Sequence, residues 1–350
     1  MKKLLLLLLS VFLFFIETQA QSCHVLFIGN SYTYVNNLPD LVSQMYAESG
    51  NSFDYTMSAP GGCTFQQHCS VSLPYIQQGG WDYVVLQEQS QLPSFPESQF
   101  MQESYPYAQE LCSLIRQYSP DVKIVFYMTW GRENGDPQNG QYYPPLNTYE
   151  GMDSLLYLRY MKMAQDNQAC VSPIGAVWHY IRDHYPDMGL YQSDGSHPSY
   201  FGSYVAACSF YTTFTGQNPA NISWNGILDA ESADIAKNAV KKVVYDSLSA
   251  WCFEPDTVEP DSTPVMVNVS DSIYLYPNPA STILHIHVPC DMFSGPCSLM
   301  IMGENGIAYQ QVGLVPDMTL DVSRFPAGYY YMVFNLGGFK RAFRSFIISR

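Results

Sequence analysis

The sequence predicts an α/β domain with a parallel sheet covered by helices on both faces, followed by a small all-β, immunoglobulin-like sandwich. Three observations predict it. From Cys23 to Cys252, short apolar runs alternate with stretches whose apolar residues recur at helical spacing. After that stretch the pattern contains strands only, separated by turn residues at roughly 8–12-residue intervals. Between the two lies an acidic, proline-rich segment with little to bury, which reads as an extended linker.

The elements follow in chain order. Residues 1–20 read as a signal peptide, with Lys2 and Lys3 as the positive region, an apolar run from Leu4 to Ile16, and Thr18-Gln19-Ala20 as the cleavage site. The apolar run is too short to span a bilayer comfortably. The α/β domain is expected over 21–253, a linker over 254–271 and the sandwich over 272–350. Within the first domain, Val25 to Ile28 is a buried strand. Helical spacing over 38–48 puts Leu38, Leu41, Val42, Met45 and Tyr46 on one face. Strands follow over 81–86 and 122–128. Helices are expected over 104–118, 152–167, 174–185, 198–214 and 233–251, with Pro198 in the first turn of its helix. Apolar strands between helices argue for a sheet buried on both faces. The sandwich strands are expected over 272–276, 283–288, 298–302, 307–311, 318–322, 328–334 and 341–348.

Bulk properties exclude some functions. A net charge of −15 leaves no basic patch to displace phosphate counterions, so nucleic acid is not an expected partner. No second apolar run is long enough to span, so no integral membrane segment is expected once the signal is removed. Export permits disulfides. Cys63 with Cys69, and Cys290 with Cys297, are spaced to close short loops, and the odd total of 9 leaves at least one thiol unpaired within the monomer. The 28 tyrosines suit sugar contacts.

Two strings carry the chemistry. Gly29-Asn30-Ser31 ends the first strand, which places a serine at the carboxyl edge of a parallel sheet, where open α/β sheets bind ligands. Its backbone N–H faces the crevice and can donate to an oxyanion. Asp194-Gly195-Ser196-His197 adds a carboxylate three residues before an imidazole. That spacing lets the carboxylate orient the ring through Nδ1 and leaves Nε2 to take a serine proton.

With both strings in this order, residues 23–252 resemble the SGNH (GDSL-type) hydrolases. The resemblance implies a flavodoxin-like three-layer α/β/α sandwich. It also implies Ser31 as nucleophile, His197 as general base and then acid, and Asp194 as the orienting carboxylate. Pro60-Gly61-Gly62-Cys63-Thr64 fits the family's second block, with Gly62, or else Gly61, as an oxyanion donor beside the Ser31 N–H. The third block departs from the family. Where a Gly-x-Asn is expected, the strand 83–86 runs into Gln87-Glu88-Gln89-Ser90-Gln91. Gln89 or Gln91 is then expected to supply the missing amide donor. Trp130 and Arg132 follow the strand 122–128 on the same sheet edge, and are expected as a stacking wall and a contact to substrate hydroxyls or a carboxylate. Glu88 and Glu133 lack the spacing of a glycosidase pair. No metal and no cofactor are expected.

The C-terminal part carries a second resemblance. Leu275-Tyr-Pro-Asn-Pro279, Leu284-His-Ile-His-Val288, Leu320-Asp-Val-Ser-Arg-Phe-Pro-Ala-Gly-Tyr-Tyr330 and Phe346-Ile-Ile-Ser-Arg350 are similar to the type A sorting domain of the type IX secretion system of Bacteroidota. This implies the type IX secretion machinery as partner and a secreted or cell-surface location. The expected activity is that of a serine esterase acting on short acyl, chiefly acetyl, esters of a small molecule or polysaccharide. A lipid or aryl esterase and a non-catalytic glycan-binding protein are the alternatives.

Overall fold

The computed structural model describes residues 22–253, 272–293, 297–303, 306–336 and 341–350. The expected signal peptide (1–20) and linker (254–271) lie outside the described residues. The first domain is built on five strands: β1 (Ser22–Ile28), β2 (Ser52–Ser58), β3 (Tyr83–Leu86), β4 (Lys123–Tyr127) and β5 (Cys170–Ser172). They pair in parallel in the order β2-β1-β3-β4-β5, the flavodoxin-like arrangement. The order reverses between β1 and β3, and the crevice outside their carboxyl ends is where such sheets place a ligand.

Eight helices of seven residues or more surround the sheet. They are α1 (Leu38–Glu48), α2 (Phe65–Val71), α3 (Glu97–Glu103), α4 (Tyr105–Tyr118), α5 (Tyr149–Asp166), α6 (Ile174–His184), α7 (Tyr200–Thr215) and α8 (Ala230–Val243). Adjacent strand residues point to opposite faces. Tyr127 meets Phe210 of α7 edge-on at 5.0 Å, whereas its neighbour Phe126 meets Phe65 of α2 at 6.3 Å. The two faces are therefore covered by different helices, giving three layers. α7 is apolar and buried nearly all round, because it packs between the sheet, α1 and α8.

The expected central strands and long helices are present, and the differences lie at ends and edges. β2 and β5 are edge strands. β2 is mostly exposed, with only Phe53 and Ser58 buried, and β5 has three residues, so neither shows the continuous apolar run of a central strand. Ser199 caps α7 and accepts from Gly202 N, so Pro198 precedes the cap instead of lying in the first turn. The expected 233–251 helix is α8 plus a 3-10 segment, Tyr245–Trp251, kinked at Ser247. Cys63, Cys69 and Cys290 are thiols, contrary to the expected short-loop pairs. Among the described residues a disulfide joins Cys170 to Cys252 and fastens the end of the domain to β5. No helix among the described residues is long and apolar enough to cross a membrane.

The C-terminal part forms two antiparallel sheets. β6 (Tyr274–Tyr276), β7 (Ile283–His287) and β10 (Asp317–Asp321) make one sheet. β8 (Ser298–Gly303), β9 (Gly306–Val312), β11 (Gly328–Asn335) and β12 (Arg341–Ile348) make the other. Leu284 and Ile286 from the first sheet share a core with Leu299, Ile301, Met332 and Phe334 from the second. The alternate residues Met300, Met302 and Val333 join the core of the first domain instead. Phe343 packs on Tyr157 of α5 at 5.3 Å between ring centroids. At the centre of this contact, Arg341 Nη2 donates to Asp153 Oδ2 at 3.0 Å, and His179 Nδ1 lies 3.0 Å from the same oxygen. Burial pushes the Asp153 carboxyl up, but Arg341 and His179 together hold it below its ordinary value.

Removing one partner of a buried pair strands the other charge. Arg341→Ala is expected to destabilise the chain by about 3–5 kcal/mol in urea unfolding. Lys241→Ala, which breaks the exposed pair with Asp246, is expected to cost at most about 1 kcal/mol. Equal, small effects would show that the sandwich does not lean on Asp153.

Candidate active site

β1 ends at Ile28, and the chain turns at once through Gly29 and Asn30 into a single helical turn, Ser31–Tyr34. Asn30 caps that turn, its side chain accepting from Tyr32 N at 3.3 Å. The turn is packed too closely for any side chain at position 29. A Cβ there would sit 2.4 Å from Thr33 Oγ1 and 2.6 Å from Gln87 Oε1. Gln87, at the end of β3, holds Asn30 from both sides. Its Oε1 accepts from Asn30 N at 2.9 Å, and its Nε2 donates to Asn30 Oδ1 at 3.0 Å. Ser31 is thereby fixed at the carboxyl end of β1.

Below the turn, a buried polar chain anchors Gly29. His68 Nε2 bonds the Gly29 carbonyl at 2.8 Å, His68 Nδ1 lies 2.6 Å from Ser72 Oγ, and Ser72 Oγ lies 2.9 Å from Ser58 Oγ. Since a carbonyl only accepts, Nε2 carries the proton and Nδ1 accepts from Ser72. Burial pushes the imidazole down to about 4, against the Gly29 carbonyl, which favours the protonated form.

The segment between α6 and α7 brings the other two groups. His197 Nε2 lies 2.9 Å from Ser31 Oγ, and His197 Nδ1 lies 2.5 Å from Asp194 Oδ2. Asp194 Oδ1 also accepts from Ser196 N and His197 N, both at 2.9 Å. One carboxylate therefore closes the local turn and orients the ring. Partial burial pushes Asp194 up, but the bonds from His197 and Ser196 hold it below its ordinary value. Gly195 takes a φ of +64°, which a glycine allows without strain.

Three aromatic rings hold this segment against the serine turn. Tyr32 stacks on Trp130 at 4.8 Å, and Trp130 stacks on Trp178 at 3.7 Å. Trp130 Nε1 donates to the Ser196 carbonyl at 3.1 Å, and the Tyr32 hydroxyl pairs with Ser196 Oγ at 2.7 Å. Trp130 is fully buried, with a ring on each face. This corrects its expected role as a substrate wall: the ring has no face to offer, and it positions the histidine loop instead. Arg132 is 28% exposed at the side chain, with Nη1 3.5 Å from Asp136 Oδ1.

The loops expected to stabilise an oxyanion flank the serine. Gly62 lies in a turn closed by Cys63 N donating to Pro60 O at 3.1 Å, with a φ of +68°. Asn30 Nδ2 donates to the Cys63 carbonyl at 3.2 Å and ties that turn to the nucleophile turn. On the other side, Gln89 Nε2 donates to Gln91 Oε1 at 3.1 Å, and Gln89 Oε1 accepts from Gln91 N at 2.8 Å. Gln91 Nε2 donates to Asp136 Oδ2 at 2.5 Å. Each of the two amides thus spends one of its two N–H groups within this region, Gln89 on Gln91 and Gln91 on Asp136, and both stay candidates for the third donor. A hydroxyl, an imidazole and a carboxylate in one hydrogen-bonded line can move a proton off Ser31 Oγ onto His197 while Asp194 balances the charge.

No family model matches the sequence. No curated protein matches it either. Among solved structures, a DUF4886 family protein from Bacteroides uniformis aligns with a TM-score of 0.55 at 17% identity, covering 65% of this chain and 95% of that one. This likeness shows a shared fold. An acetylxylan esterase from Geobacillus stearothermophilus aligns at a TM-score of 0.40 and 20% identity over 55% of this chain and 94% of its own. A lipase/acylhydrolase from Enterococcus faecalis aligns at 0.40 and 15% over 55% and 96%.

The buried His68 makes the site's support pH-sensitive. Unfolded, the imidazole takes a proton near pH 6.5, but in the fold it stays neutral down to about 4. Stability is full above that unfolded value and declines as pH falls between the two. From pH 7.5 to pH 5 the expected loss is on the order of 2 kcal/mol. Urea unfolding of wild type and His68→Gln at both pH values checks this: the loss should shrink by that amount in the variant.

Proposed function

We propose that the protein is a secreted serine esterase of the SGNH type that hydrolyses short acyl esters, acetyl esters first, carried on polysaccharide. The observation that carries this reading is the Ser31–His197–Asp194 line at the carboxyl end of β1. In the proposed cycle, Ser31 Oγ attacks the ester carbonyl carbon as His197 Nε2 takes its proton. The oxygen of the tetrahedral adduct faces the N–H groups of Ser31 and Gly62 and the amide of Gln89 or Gln91. His197 then protonates the leaving alcohol, and an acyl-enzyme remains. Water, losing its proton to His197, attacks the acyl carbon and releases the acid and Ser31.

Two observations support an ester on a polymer. The line is open to solvent, with His197 32% and Asp194 47% exposed at the side chain, so a bulky substrate reaches it. Along the Gln89–Gln91 loop lies a cleft of about 540 Å³ lined mainly by polar side chains, among them Gln66, Gln89, Gln91, Gln138 and Glu103, with Phe95. Amides that donate and accept, with a carboxyl group and an aromatic ring, suit hydroxyl-rich ligands. The leader-like residues 1–20 and the sorting-type sandwich support export through the type IX machinery, with the enzyme released or held at the cell surface.

The test is acetate release by the mature chain from a chromogenic acetyl ester and from acetylated xylan. Ser31→Ala is expected to lower kcat by roughly 10⁴-fold or more, and Asp194→Asn by about 100-fold or more. A preference for long acyl chains would favour a lipid esterase. Glycan affinity without Ser31-dependent turnover would favour a binding protein and end the esterase reading.

A further inference from the structure

Glu88 follows Gln87 at the end of β3, and its side chain is fully buried. It belongs to none of the ion pairs among the described residues. A carboxyl in such a place is costly to bury unless hydrogen bonds compensate. Here they come from the next residue in the chain and from two other segments. Glu88 Oε1 accepts from Phe65 N at 2.9 Å and from Gln89 N at 2.7 Å. Glu88 Oε2 is bonded by Ser104 Oγ at 2.8 Å. Its own N–H donates to the Tyr160 hydroxyl at 3.2 Å. Burial pushes this carboxyl up to about 7, against the pull of the Gln89, Ser104 and Phe65 donors.

What these donors belong to matters more than their number. Phe65 opens α2 directly after the turn that holds Gly62. Gln89 follows Glu88 in the opposite loop, the one with the candidate amides Gln89 and Gln91. A single carboxyl oxygen thus joins the two segments that flank Ser31, and Ser104 at the start of α4 holds the carboxyl from behind. We infer that Glu88 is a positioning residue that sets the gap between the Gly62 turn and the Gln89 loop, and so the width of the oxyanion pocket. This rests on the esterase reading above.

The inference predicts a division between variants. Glutamine keeps one oxygen for the Phe65 and Gln89 N–H groups and can turn its NH₂ to Ser104 Oγ, so it preserves the bridge. Alanine removes it. On a chromogenic acetyl ester, Glu88→Ala in the mature chain is expected to lower kcat by roughly 100-fold, the scale of losing one oxyanion donor, with KM changed by less than about threefold. Glu88→Gln should stay within about fivefold of wild type. If alanine does not fold, Glu88→Asp, one methylene too short to span both loops, is read in its place. A lowered melting temperature with wild-type kcat would assign Glu88 to stability alone and overturn the inference. Equal loss in Ala and Gln would point to the charge, not the bridge, and overturn it as well. Wild-type turnover that survives Ser31→Ala would instead remove the esterase reading, and this inference with it.

Discussion

At the carboxyl end of the sheet, β1 and β3 run out of ladder partners together, and the Gln87 side chain takes over where the backbone stops. Gln87 N still donates to Ile28 O at 2.9 Å, as a strand residue would. Two residues beyond Ile28, the Gln87 side-chain amide supplies both a donor and an acceptor to Asn30. The abrupt change from strand to helical turn would otherwise leave buried backbone groups unpaired. The close packing of Thr33 and Gln87 over Gly29 follows from the same contact. Everything further out takes its position from this junction: the Ser31 hydroxyl, the tie from Asn30 to the Cys63 turn, and the segment that contains Gln89.

The histidine loop reaches the serine by a different kind of force. No sheet or helix holds residues 191–198, apart from one isolated bridge between Tyr191 and Pro198. Stacked rings and a few directed bonds hold them instead. Trp130 is the hinge of that arrangement, since it stacks on the serine turn's Tyr32 and bonds the backbone of Ser196. Glu133 N adds a bond to the Gly195 carbonyl at 2.8 Å. An imidazole that must meet a hydroxyl at hydrogen-bond distance needs this kind of lateral support, because small misplacements cost rate steeply.

The sequence made some of this legible and left some of it out, for physical reasons. Central strands and amphipathic helices announce themselves, because burial on both faces or on one stripe imposes a composition. Edge strands such as β2 and β5 do not, since solvent on one side tolerates polar residues. The serine and the Asp-x-x-His pair were readable because each is a local pattern. Trp130 was misread because a residue just past a strand end can face either core or crevice, and only the position of Trp178 decides which. His68, Gln87 and Glu88 left no clear signal. A polar residue beside a turn reads as surface until the fold closes over it, and each of these three lies in the interior because a distant segment bonds it.

The way the C-terminal sandwich sits on α5 has a practical consequence for anyone who cuts the chain. Its four-stranded sheet has no free side near the contact: one set of alternate residues faces its own core, and the other faces the first domain. Trimming the protein at residue 253 would therefore not yield a clean first domain. It would lay bare Tyr157 and leave Asp153 without its guanidinium partner. A fragment with such a freshly opened apolar face is prone to self-association. Low solubility in a truncated preparation would then report on the missing neighbour, not on a fault in the domain that remains.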